Sequence, residues 1–200
     1  MHSTFSDGKF SPQQLVKIAE KNNVTLISLT DHDTFEGIPD FMTAAKAANI
    51  EAFPGIEITV KFHGFDIHIL AYFKDHASID SDLLQKVKNM TETREKRMVE
   101  LIKRVDGALP EKFRGLIEFQ NVKKAAEGVL ARPHLAREMV RLGIVSNTHQ
   151  AFDRYLVKYN VQRDNLDVDT AIKLIRKSNG VPVMAHPGER SYSLICPEKG

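Results

Sequence analysis

The sequence reads as an α/β protein interrupted by a helical insertion. Short apolar, β-branched runs alternate with helix-like runs over residues 1–79, a charge-rich helical stretch fills 80–165, and an apolar run returns at 181–188 behind one more helix. Strands separated by helices of about a dozen residues point to βαβ units and a parallel sheet.

Each element has a local reason. Ser11-Pro12 is an N-cap followed by a first helical residue, with Leu15, Ile18 and Ala19 on one face of the helix behind it. VTLISLT (24–30) is a short apolar run, read as a buried strand. IPDFMTAAKAANI (38–50) is helical after Pro39, and EAFPGIEI (51–58) and FDIHILAY (65–72) read as strands. SDLLQKVKNMTETREKRMVELIKRV (81–105) has the spacing of one long amphipathic helix, and shorter helical patterns follow near 118–127, 132–142 and 148–157. VDTAIKLIRKSNG (168–180) is a helix leading into the strand of VPVMAHPG (181–188). The expected organisation is therefore a body over 1–79, a helical insertion over 80–165 and a continuation of the body over 166–200.

Composition bounds the function. The 200 residues are 42% hydrophobic and 27% charged, which suits a globular core. A net charge of +2 argues against a general polyanion binder. Residues 81–164 nevertheless carry 17 Lys/Arg against 11 Asp/Glu. That excess fits either a phosphorylated ligand or a solvated helical surface. No apolar run is long enough to span a membrane, and no targeting pattern opens the chain. Cys196 is the single cysteine, so no internal disulfide forms. A reducing cytoplasm is the expected compartment, with neither a membrane nor a specific protein partner implied.

Metal-capable side chains gather at strand ends. TDHDT (30–34) follows VTLISL, Glu57 follows AFPGI, and His186 follows VPVMA. His68 lies inside the fourth apolar run, with Asp66 on the same strand face. His2 stands five residues before Asp7, which opens an Asp-Gly turn. Imidazoles and carboxylates without thiolates suit manganese, zinc or iron. A carboxylate such as Glu57 has lone pairs enough to bridge two cations, and paired cations can clamp a phosphate and generate hydroxide near neutral pH. Other roles compete for each residue: His68 as a hydrogen-bonded core histidine, Asp31 and Asp33 as caps of the next helix, Asp7 as a turn former, and Glu57 as the partner of a lysine. His63, His76 and His149 read as surface residues.

The ordered motifs HSTFSDG, TDHDT, GIEIT, DIHILAY and MAHPG resemble the PHP (polymerase and histidinol phosphatase) domain family. The insertion, with ARPHLAREMV (131–140), is similar to that of the subgroup acting on 3′,5′-bisphosphonucleotides or trimming short RNA from its 5′ end. The resemblance implies a distorted (β/α)7 barrel with up to three divalent metals, and hydrolysis of a nucleotide phosphate ester by metal-activated hydroxide. It implies His2, Asp7, His32, Glu57, His68 and His186 as metal ligands, with Glu57 bridging. It gives His134, with Arg132 or Arg137, a catalytic or substrate-phosphate role; a locally satisfied helix residue is the plainer role for His134. Arg154 joins Arg132 and Arg137 as a candidate phosphate contact, because guanidinium is a two-pronged donor. Against the family pattern the chain is expected to be incomplete at both ends, lacking an upstream histidine and a later Asp-x-His. Only Glu57, His68 and His186 would then form a full ligand set, and little activity is expected. The alternatives are a nucleotide- or RNA-binding module without turnover, or an amidohydrolase, which the lack of a strand-end lysine disfavours.

Overall fold

The structure, a computed structural model, describes residues 1–126, 129–161 and 165–188. Cys196 and the remainder of the expected continuation to residue 200 lie outside the described residues. The fold is mixed α/β. The chain divides into two compact units, one formed by Met1–Met90 with the described residues from Asn165 onward, the other by the described residues of Thr91–Asp164.

In the first unit, α1 (Pro12–Lys21) starts at a reciprocal cap: Gln14 N–H donates to Ser11 Oγ, and the Ser11 N–H donates to Gln14 Oε1. Its buried face is Pro12, Val16 and Ala19, with Leu15 at the rim. Ile18, expected on that face, is instead exposed. Next come β1 (Leu26–Leu29), α2 (Ile38–Ala47), β2 (Glu51–Phe62) and β3 (Phe65–Tyr72). The first turns of α3 (Ser81–Ala108) also belong to this unit, as do β4 (Leu166–Asp167), α7 (Val168–Lys177) and β5 (Val181–Met184). Ile56, Ile58 and Val60 of β2 are fully buried, packed in one core with Leu29, Phe41, Ile69, Leu83 and Ile175.

The sheet departs from the expected parallel barrel. Strand order is β1-β2-β3-β5, with β4 on β2, and among the described residues it does not close into a barrel. Among the described residues β1 and β4 run parallel to β2, whereas β3 is antiparallel to β2 and β5 to β3. The cause is local. β2 and β3 are joined by His63 and Gly64 alone, both at positive φ (46° and 86°). A two-residue turn of this kind closes a hairpin, while a parallel crossover needs a dozen residues or more.

β2 also changes partner along its length. Residues 51–54 pair with β1 and residues 55–62 with β3. The change occurs at Gly55, where a Cβ would stand 2.7 Å from Ser28 Oγ and 2.9 Å from the Leu29 carbonyl oxygen. The backbones can approach this closely only because residue 55 has no side chain.

In the second unit, Met98, Leu101, Ile102 and Val105 form the apolar stripe of the rest of α3, and Leu109 continues it just past the helix end. They pack with Val122 of α4 (Phe119–Lys124), with Leu135, Ala136 and Met139 of α5 (Arg132–Arg141), and with Ala151 of α6 (Thr148–Ala151). The helix expected near 148–157 is α6 followed directly by a π-helical turn, Phe152–Leu156. Among the described residues no helix is long and apolar enough to cross a membrane.

Candidate metal centre

Backbone pairing brings the candidate ligands of the first unit together. Beyond the β1–β2 ladder, pairing resumes as a parallel bridge between His32 and Glu57: Asp33 N–H donates to the Glu57 carbonyl at 2.9 Å, and Glu57 N–H donates to the Asp31 carbonyl at 3.1 Å. Glu57 lies opposite Leu70 on β3, so His68, two residues along, is its diagonal neighbour on the same face. Ala185 N–H donates to the His68 carbonyl at 3.1 Å, which carries the next residue, His186, to that face. On the far side of β1, Thr30 N–H donates to the Met1 carbonyl at 2.8 Å and sets His2 beside His32. Their rings stack with centroids 4.6 Å apart.

Glu57 is the centre of this arrangement. Its carboxylate is 3% exposed, and four imidazoles face it. Oε1 lies 2.9 Å from His68 Nδ1, 3.1 Å from His186 Nε2 and 4.0 Å from His32 Nδ1. Oε2 lies 3.2 Å from His2 Nε2. Two sets of possible ligands therefore share one carboxylate: His2–His32–Glu57 and Glu57–His68–His186. Asp7 borders the first set, 3.6 Å from His2 Nδ1 and 3.8 Å from His32 Nε2. Asp66 does not join them, because it pairs with Lys61 at 2.8 Å and accepts from Asn165 at 3.0 Å.

The donor geometry fits cations. His68 Nδ1 and His186 Nε2 stand 3.1 Å apart, each also against Glu57 Oε1. Hydrogen bonds cannot join all three atoms, since each imidazole nitrogen facing the others offers one proton or one lone pair. A cation uses all three lone pairs. Ligand atoms about 2.0–2.2 Å from a metal stand roughly 3 Å from one another, which matches this triangle. In the other set, His2 Nδ1 is buried without a hydrogen-bond partner, a further donor directed toward Asp7.

Electrostatics agree. Burial raises the Glu57 carboxyl, but hydrogen bonds from His2 and His68 and the charge of His32 outweigh it, holding the group well below the usual carboxylate range. The Glu57 hydrogen bond raises His2. Burial lowers His32 despite the carboxylates of Glu57 and Asp7, which keeps its ring neutral and able to ligate.

Residues missed in the sequence hold this centre in place. Asp31 and Asp33 cap no helix: α2 has Gly37 at its N-cap, and both carboxylates are committed to Ser3, Ser6 and Thr59. Ser3 and Ser6 give only a weak signal, two small hydroxyl residues between His2 and Asp7.

The remaining candidates lie in the second unit. Arg132 and His134 are in the first turn of α5, and Arg137 follows on the same helix. His134 Nδ1 lies 3.0 Å from the Ala131 backbone nitrogen and 3.1 Å from the Ala131 carbonyl oxygen, accepting from the first or donating to the second according to its tautomer. Burial, then the Arg137 charge, lowers the His134 pKa. Arg137→Ala is accordingly expected to move the His134 imidazole titration upward in NMR while leaving it below the ordinary histidine value, because burial persists; an unmoved titration would show that Arg137 does not bear on the ring. The Arg132 guanidinium lies over Phe152, 5.6 Å from the ring centre, and Arg154 is exposed on the π-helical turn that begins there.

A PHP domain model matches residues 1–177. The chain belongs to the PHP domain family. Among PHP relatives, it is 39% identical over 192 residues to a 5′-3′ exoribonuclease of Haemophilus influenzae, covering 93% of this chain and 66% of the relative. It is 27% identical to a 3′,5′-nucleoside bisphosphate phosphatase of Chromobacterium violaceum, covering 94% and 65%. A solved structure of a proposed metal-dependent phosphoesterase from Bifidobacterium adolescentis superposes with a TM-score of 0.75 at 25% identity, covering 94% of this chain and 66% of that one. The chain thus spans just under two thirds of the length of these relatives.

Proposed function

We propose that this PHP chain serves a metal-dependent phosphoesterase that hydrolyses a phosphate ester of a nucleotide, either a 3′,5′-bisphosphonucleotide or the 5′ end of a short RNA. The observation that carries this reading is the buried Glu57 carboxylate shared by two ligand sets. His2, His32 and Glu57 would hold one divalent metal and Glu57, His68 and His186 a second, with Asp7 a further ligand at the edge of the first. A donor set of imidazoles and carboxylates suits manganese, zinc or iron.

When bound, such metals supply charge neutralisation at phosphate oxygens and lower the pKa of water. The protein's own contribution is to hold the Glu57 carboxyl below the usual carboxylate range and to fix His68 beside it through the β2–β3 ladder. Arg132, Arg137 and Arg154 would bind phosphate through paired N–H donors, with His134 beside them as a phosphate or catalytic contact. The names of the relatives support a nucleotide or RNA substrate. The lone cysteine and the nucleotide substrate together favour the cytoplasm.

The test is phosphate release from a 3′,5′-bisphosphonucleotide and mononucleotide release from a short 5′-phosphorylated RNA, with manganese and after chelation. Release above the chelated control supports the proposal. Saturable nucleotide binding with no release identifies a binding module instead, and hydrolysis confined to amide substrates identifies an amidohydrolase.

A further inference from the structure

His32 is flanked by two carboxylates that belong to neither ligand set, and both are 1% exposed. They reach in different directions. Asp31 Oδ1 accepts from the Ser3 N–H at 2.6 Å and from Ser6 Oγ at 2.5 Å, and Oδ2 accepts from Ser3 Oγ at 2.6 Å. Ser3 follows His2, and Ser6 precedes Asp7. Asp33 accepts from the Thr59 N–H at 2.7 Å and from Thr59 Oγ1 at 2.9 Å, on the strand that carries Glu57. One carboxylate thus ties the His32 turn to the segment bearing His2 and Asp7, and the other ties the same turn to β2.

The second ligand set is built differently. His68 and His186 are held by the β2–β3 ladder, the β3–β5 ladder and the Ala185 backbone bond; the turn of residues 31–33 meets this set at Glu57, through backbone bonds that use no aspartate side chain, and at Thr59, opposite His68. Charge-assisted bonds to a buried carboxylate are stronger than neutral ones and set one geometry. A turn that lost them would let His2 and His32 drift while the sheet kept the other three residues together.

We propose that Asp31 and Asp33 are positioning residues that assemble the His2–His32–Glu57 site alone, whereas the Glu57–His68–His186 site is assembled by the sheet. The two sites are then separable: the first can be loosened or lost by a change in the carboxylate clasp without loss of the second. This rests on the reading of both groups as metal sites.

The experiment is a cobalt(II) titration of the full chain, followed by visible absorption and by calorimetry. The wild type is expected to show two binding steps. Asp31→Asn and Asp33→Asn should weaken one step by about 10–100-fold, as losses of groups that orient ligands do, and leave the other within about twofold. Ser6→Ala and Thr59→Val keep both carboxylates and remove one hydroxyl donor each. They should weaken the same step in the same direction, which preserves the test if an aspartate variant does not fold. Equal weakening of both steps in a folded variant, or no weakening of either, overturns the assignment of the clasp. Absence of cobalt binding by the wild type overturns the metal reading itself, which is a distinguishable result.

Discussion

Glu57→Gln is expected to strip metal from both ligand sets at once. The side chain keeps its shape but loses its charge, and the Nδ1 of His68 and Nε2 of His2 and His186 then face a neutral amide. Among the described residues no other carboxylate reaches both groups, since Asp7 stands at the edge of the first set alone. Metal content by elemental analysis should fall to that of a chelated control. Any metal-dependent phosphate release should fall by about 10³-fold or more, the scale seen when electrostatic stabilisation is removed from a reacting centre. His68→Ala should spare part of the metal, because it damages one set. Metal retained in full by Glu57→Gln would mean that the cation, if any, is held elsewhere.

Gly55→Val should produce the largest loss of stability. A Cβ there would sit 2.7 Å from Ser28 Oγ and 2.9 Å from both the Leu29 carbonyl oxygen and Thr30 Cγ2. The serine can rotate, but the Leu29 backbone belongs to β1 and cannot move without opening the parallel ladder. Valine adds two methyl groups beyond that clash. The expected cost is about 3 kcal/mol, a large share of the roughly 5–15 kcal/mol that holds an ordinary domain together. It should appear as a lower urea midpoint at unchanged slope. Gly64→Ala is the control. It occupies a positive-φ position, φ 86°, but its Cβ would meet nothing within 4 Å, so only backbone strain of about 1 kcal/mol is expected. Similar losses at the two glycines would show that steric contact at the β1–β2 approach is not what demands glycine at 55.

Local signals made much of this fold legible. The Ser11 cap, the length of α3 and the strand-like runs depend on neighbours a few residues apart, and periodicity records those. The hairpin was present in the sequence too, as His63-Gly64 between two apolar runs, but the helix–strand alternation around it favoured a parallel reading. Ile18 was misplaced for a similar reason: positions 15, 18 and 19 and positions 12, 16 and 19 are both acceptable helical faces, and only packing in the core of the first unit, chiefly against α2, selects between them.

The candidate site divides along the same line. His2, Asp7, His32, Glu57, His68 and His186 stand out by residue type and by their place beside apolar runs. Asp66 shares those marks, yet the hairpin sets it opposite Lys61 rather than near Glu57. The clasp of Asp31 and Asp33 could not be read, because its partners lie 25–28 residues away and carry only hydroxyl and backbone donors.

Anomalous diffraction at the zinc edge, from crystals of the wild-type chain grown with zinc, tests most directly whether Glu57 organises a metal centre. Two peaks are expected, one about 2.0–2.2 Å from ligand atoms of Glu57, His68 and His186 and another at that distance from Glu57, His2 and His32. Zinc found only at exposed pairs such as His149 and Asp153, with none beside Glu57, would contradict it.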